Sequence, residues 1–200
     1  MSDVGGVALA SLTGEAIRGA IPALADLRVC IFRGWPYLYD GDLAYEAAYL
    51  DKYAATPGAL VVTATAGDGA IVGASTALPL AAAETELHAP FVAKGLALAD
   101  WCYFGESLLD PAWRGRGIGV AFFAARETHA AALGLEHSCF CAVERPADHP
   151  ARPADYVPLD AFWHNRGYQR RDDMTALFTW RDVGEAGETA KPMRFWTKSR

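Results

Sequence analysis

The chain predicts a mixed α/β fold, a central sheet flanked by helices in a single domain over residues 1–200. Three observations carry this. Apolar runs of strand length, at Leu60–Thr65, 70–78, Trp101–Leu109 and 135–143, alternate with segments of helical periodicity. From Trp101 to Leu133 a strand, a glycine-rich turn and a helical pattern follow without interruption. Apolar residues make up 52% and charged residues 21% of 200 residues, which supports a sizeable core and argues against global disorder. That length suits one domain, at about 100–200 residues per domain.

Taken in order, Val7–Leu12 reads as a short first strand. Thr13 is placed to cap a helix over 14–27, with Glu15 in its first turn, where negative charge is favoured. Gly19 and Pro22 weaken that helix. Residues 28–32 read equally as its continuation or as a strand. Residues 33–42 form a loop dense in aromatics, and Asp42 caps a helix running to about Ala55. On that helix Leu43, Ala47, Leu50 and Ala54 share one face, and Tyr45, Tyr49 and Tyr53 make a second stripe.

Ala66-Gly67-Asp68-Gly69 between two β-rich runs is a hairpin signal, and Pro79 ends the second run. Residues 81–98 contain Glu84, Glu86, His88 and Pro90 and read as an irregular or helical insertion, either a connection or a lid. Trp101–Leu109 is the central strand. Glu106 stands out there as a carboxylate inside an apolar run, where burial would raise its pKa. A helix over 119–133 ends at Gly134, a residue suited to a helix terminus, and the next strand follows at once. Prolines at 146, 150, 153 and 158 make 144–158 a stiff, non-helical loop whose length suggests binding, with Glu144 and Tyr156 among its candidate contacts. A short helix near 159–168 and closing strands at 174–180 and 192–197 complete the chain.

The turn after the central strand has the chemistry of an anion site. Helix-initial N–H groups lack internal partners and carry partial positive charge. Glycine lets a phosphate approach them without a Cβ in the way. A dinucleotide fingerprint fits poorly, because Val120 stands where its third glycine would be, and Gly119-Val120-Ala121 lacks the Gly-Lys-Ser/Thr of a P-loop. What fits is Arg114-x-x-Gly117-x-Gly119, preceded by Leu109-x-Pro111 and Trp113. This arrangement resembles the acyl-CoA motif of the GNAT N-acetyltransferase superfamily. Phe162, Gly167 and Tyr168 weakly resemble that superfamily's last helix.

The resemblance implies a GNAT-like acyl-CoA N-acyltransferase fold with acetyl-CoA as co-substrate. The pyrophosphate would sit on Gly115, Gly117 and the N–H groups of Ile118, Gly119 and Val120, reinforced by Arg114 and Arg116. Strands 101–109 and 135–143 would splay to admit the pantetheine arm, whose amides would pair with the backbone of Leu108 and Leu109. A small polar amine would attack the thioester directly, with Glu106 as base and no covalent enzyme intermediate. The loop with Tyr37 and Tyr39 would wall the acceptor pocket, joined by Glu144 and Tyr156. Trp163 replaces the tyrosine that often protonates the departing thiolate, and an indole N–H cannot do that; Tyr168 or Tyr156 could. The same replacement keeps a non-catalytic acyl-CoA-binding module open.

Other classes are disfavoured. A net charge of −6 and a pI near 5.3 argue against nucleic acid. No run approaches the roughly 20 apolar residues that span a bilayer, and Met1–Gly6 is not a secretory signal. A cytoplasmic protein without a metal is expected, with a homodimer as an open candidate. Cys30, Cys102, Cys139 and Cys141 form no C-x-x-C and read as buried free thiols. His137, Cys139 and Cys141 would share one strand face, so a cysteine acyl-enzyme stays as a distant alternative without an orienting carboxylate.

Overall fold

A computed structural model describes residues 2–200. Eight strands, β1 (Ser2–Val4), β2 (Val7–Leu12), β3 (Leu60–Thr65), β4 (Ile71–Pro79), β5 (Trp101–Leu109), β6 (His137–Val143), β7 (Gln169–Arg181) and β8 (Glu188–Ser199), form one sheet in the order β1-β2-β3-β4-β5-β6-β8-β7. All neighbours are antiparallel except β5 and β6. The helices are α1 (Ile21–Phe32), α2 (Leu43–Ala55), α3 (Thr85–Val92), α4 (Ile118–Ala132) and α5 (Asp160–His164).

Strand alternation builds two cores, one on each face of the sheet. Val61 and Tyr103 join Leu24, Leu50, Tyr53 and Phe195 on the face of α1 and α2. Leu60, Val62, Cys102 and Phe104 join Ile118, Phe122, Phe123 and Tyr168 on the face of α4.

Several local expectations are revised. Residues 14–20 form a 3-10 stretch, and Thr13 is extended without a side-chain cap bond. Pro22 lies in the first turn of α1, where its missing N–H costs nothing, so it starts the helix rather than weakening it. The helix then runs through Arg28 to Phe32. Asp42 caps α2 as expected, accepting from the Tyr45 N–H at 2.9 Å. Leu43 is exposed, leaving Leu50 and Ala54 to the core. The insertion contains α3, which closes over the first core with Leu87 and Phe91. β7 and β8 exceed the expected closing strands and pair as a long hairpin.

The proline-rich loop is tied to the aromatic loop by one side chain. Arg145 donates to both Asp182 carboxylate oxygens at 2.6 and 2.9 Å, to the Pro36 carbonyl at 2.9 Å and to the Tyr37 carbonyl at 2.6 Å. Burial alone would raise the Asp182 carboxyl, but Arg145 and Lys191 more than offset it and hold it below the ordinary range. Its share of stability is present above the unfolded carboxylate pKa, about 4, and is lost as pH falls through the lower folded value. Arg145→Ala leaves a largely buried carboxylate with Lys191 alone, at 3.4 Å, and removes the side-chain donor of the Pro36 carbonyl. It should cost about 3 kcal/mol, read as a lower urea midpoint with an unchanged slope.

Candidate functional site

The central feature is the way β5 leaves its neighbours. Its pairing with β6 runs only from Trp101↔His137 to Tyr103↔Cys139, and the two strands part beyond it. On the other side, Ser75 pairs with Ser107 and Ala77 with Phe104, so Gly105 and Glu106 together oppose Thr76. This is a β-bulge in β5, which re-aims side chains and increases local twist. Thr76 Oγ1 accepts from the Glu106 N–H at 3.2 Å. Glycine is needed at 105, because a Cβ there would lie 2.5 Å from Thr76 Oγ1 and 2.6 Å from the Tyr53 hydroxyl.

Antiparallel alternation decides which backbone groups of β5 are free. Asp110 N–H donates to the Val72 carbonyl at 2.9 Å, so at Leu108 the polar groups face Ala74. At Ser107 and Leu109 they face the opening toward β6. The expected pairing position Leu109 is therefore on the open side, Leu108 is committed to β4, and Ser107 is an addition.

The opening leads to the glycine turn. Gly115 and Gly117 have φ of +75° and +83°, a region in which glycine is unstrained, and Gly117 caps α4. The first bond within this helix is Ala121 N–H to the Gly117 carbonyl, which leaves the N–H groups of Ile118, Gly119 and Val120 to partners outside it. Gly119 packs near the Phe162 ring. Arg114 and Arg116 are exposed; Arg114 donates to the Leu109 carbonyl and Arg116 lies over the Trp113 ring. Among the described residues, neither has a carboxylate at ion-pair distance. Two uncompensated cations beside three free N–H groups suit an anionic ligand.

A cavity of about 850 Å³ opens on the α1/α2 face of β5. Glu106, Arg28, Tyr37, Tyr39, Tyr49 and Trp180 are in its wall. Arg28 Nη1 is 2.8 Å from Glu106 Oε1, and Arg28 Nε bonds to the fully buried Glu46. Its guanidinium also lies 4.4 Å from the Tyr49 ring centroid. Glu106 Oε1 nevertheless accepts no aligned hydrogen bond. Burial raises the Glu106 carboxyl above its ordinary range, Arg28 opposes this, and the carboxylates of Glu46 and Glu84 add to the rise.

The sequence-predicted residues therefore divide. Glu106, Tyr37 and Tyr39 meet in the cavity, and Arg114 to Val120 meet at the turn. Glu144 lies outside the cavity wall, paired with Arg170 and Arg194 at 2.5 and 2.9 Å. Tyr156 packs against Trp35 instead. Tyr168 is fully buried on the α4 face, bonded to Ser138 at 2.9 Å and Glu127 at 3.2 Å, level with the still-paired part of β5 and β6. Burial pushes its hydroxyl well above the ordinary range. Trp163 packs on Phe140 and Trp196. Arg28, Glu46 and Trp180 were not singled out from sequence. The available signal was a lone cation at 28 in a largely apolar helical stretch.

The cysteines offer no nucleophile of the expected kind. Cys102, Cys139 and Cys141 are buried, and burial pushes Cys141 up to about 12. His137 is half-buried and contacts Ser199 rather than either thiol. Cys30 is exposed, contrary to the buried reading. Alkylation of the native protein at pH 8 should label Cys30 and spare the other three, as read by intact and peptide mass. Among the described residues, no group of three or more His, Cys, Asp or Glu could hold a metal ion, and no helix is long and apolar enough to cross a membrane.

No protein-family model and no curated protein matches the sequence. Solved structures do match in fold. A ribosomal-protein-alanine N-acetyltransferase from Brucella melitensis aligns over 96% of this chain and 99% of its own, at TM-score 0.63 and 15% identity. A GNAT superfamily phosphinothricin acetyltransferase from Sinorhizobium meliloti, in complex with acetyl-CoA, aligns over 97% and 88%, at 0.60 and 16%. An aminoglycoside 6'-N-acetyltransferase complexed with coenzyme A aligns over 96% of both chains, at 0.60 and 14%. The chain thus has the mixed-sheet fold of GNAT acyltransferases.

Proposed function

We propose that this protein is an acetyl-CoA-dependent N-acetyltransferase acting on a small polar amine. One juxtaposition carries the reading: the buried carboxylate of Glu106 stands on the bulge of β5 where that strand parts from β6, in the wall of a cavity and on the strand that leads to the glycine turn with its free N–H groups. Acetyl-CoA as co-substrate would supply an activated thioester. Ile118, Gly119 and Val120 N–H groups with Arg114 and Arg116 would hold its pyrophosphate, and Ser107 and Leu109 would offer backbone partners to the arm. Fit is supported by the free N–H groups, the unpaired arginines and the positive-φ glycines described above.

Glu106 would take a proton from the incoming ammonium, directly or through a water. The neutral amine then attacks the thioester carbonyl, the C–N bond forms, the C–S bond breaks, and the amine's second proton goes to solvent. The thiolate leaves. Solvent can protonate it, because a thiol near pKa 8.5 is mostly protonated at neutral pH. Trp163 favours a second reading, a module that binds acyl-CoA without turnover. Thiol release from acetyl-CoA across a panel of primary amines separates the two. Amine-dependent release supports the transferase, and tight acetyl-CoA binding with no release for any amine supports the module.

A further inference from the structure

The charge in the cavity wall is out of balance. Six carboxylates line it against three cations. Arg28 is already shared between Glu46 and Glu106, and Arg181 pairs with Asp40 at 2.7 Å. Lys52 is the remaining cation. Among the described residues, Glu84, Glu86 and Glu188 have no cation at ion-pair distance.

This surplus has two levels. Glu106 is at the buried level, on the bulge, with one carboxylate oxygen lacking an aligned donor. Glu86 and Glu188 are at the exposed level, and Glu84 is half-buried. The Glu84 charge is felt at Glu106, Tyr49 and Tyr53, which puts it in the same electrostatic field as the buried level. The same wall includes Phe32, Leu87 and Met193, which suit methylene groups rather than further charge. The exposed ring of Tyr45 adds a favourable surface for a cation.

We infer that the acceptor is a small dication, an aliphatic primary amine carrying a second ammonium group, with the reacting nitrogen at Glu106 and the other held by Glu84 and Glu86. The assignment rests on the transferase reading for which nitrogen reacts, but its binding preference does not need turnover. A second ammonium gains from these unpaired carboxylates. A carboxylate in its place is repelled by them.

Calorimetric titration with 1,4-diaminobutane, butylamine and 4-aminobutanoate at low ionic strength tests this. The three are nearly isosteric and differ mainly in the charge of the distal group. The diamine should bind about ten-fold or more tightly than butylamine, and 4-aminobutanoate more weakly than either. In the double variant Glu84→Gln, Glu86→Gln the advantage of the diamine over butylamine should shrink below about three-fold. Both residues are at the accessible start of α3, and circular dichroism checks that the variant is folded. Equal affinity for diamine and monoamine overturns the inference, as does a diamine advantage that survives the double variant. Thiol release measured in parallel keeps the two ideas apart. Preferential diamine binding without release supports the dication and sinks the transferase reading, whereas equal kcat/KM for diamine and monoamine sinks the dication and leaves the transferase.

Discussion

Replacing Gly117 by aspartate should abolish the proposed acetyl-CoA binding. The residue has φ of +83° and caps α4, and a Cβ built there has only Val4 Cγ1 nearby, at 3.9 Å. The side chain therefore has room, and it delivers a carboxylate to the three free N–H groups. Two like charges about 4 Å apart at an effective dielectric of about 20 repel by about 4 kcal/mol, a loss of roughly 10³-fold in affinity. Gly117→Ala is the matched control. It carries the strain of a positive φ, about 1–2 kcal/mol, without the charge. Calorimetry should find the alanine variant binding, though more weakly, and the aspartate variant silent. Unchanged affinity in the aspartate variant would remove the turn from the binding site.

The sheet and the turn were legible in the sequence because short-range rules govern them. Apolar runs of strand length marked Leu60–Thr65 and Trp101–Leu109, and the glycine spacing at 115, 117 and 119 marked a strand-to-helix turn. Pro22 misled because the same residue weakens a helix interior and favours its first turn, and the sequence does not say which it occupies. The cavity was only half legible. Glu106 announced itself as a charge in an apolar strand, and the aromatics at 37 and 39 suggested a wall. Arg28 did not, because its partners Glu46 and Glu106 are 18 and 78 positions away, and only the packing of α1 against α2 and β5 brings the three together. Tyr168 misled in the other direction. A tyrosine near the end of the chain reads as a proton donor, but Ser138 and Glu127 occupy its hydroxyl in the second core. The bulge at Gly105 and Glu106 was invisible too, since nothing in a strand's alternation marks where one residue too many has been inserted.

That bulge makes Glu106→Gln the most informative change in the cavity. Glutamine keeps the size of the side chain and leaves an oxygen to face Arg28, so the wall should survive while the base is lost. Turnover should fall by about 10² or more, within the roughly 10²–10⁴-fold range of general base catalysis, with acetyl-CoA affinity little changed. The pH profile discriminates base from scaffold. Because burial raises the Glu106 carboxyl, its basic form is lost as pH falls through a value above the ordinary carboxylate range. In the native protein kcat should therefore decline on the acid side at a pH higher than a solvated glutamate would give. In the variant that limb should vanish, leaving the low residual rate to follow hydroxide or the free amine. A second substitution guards against misreading a packing defect. Arg28→Lys keeps a cation beside Glu106 and Glu46 but loses the fork that serves both, and it should displace the acid limb rather than erase it. Were Glu106→Gln to retain full turnover from pH 6 to 9, Glu106 would be only the counter-ion of Arg28, and the proton would leave the amine by another route.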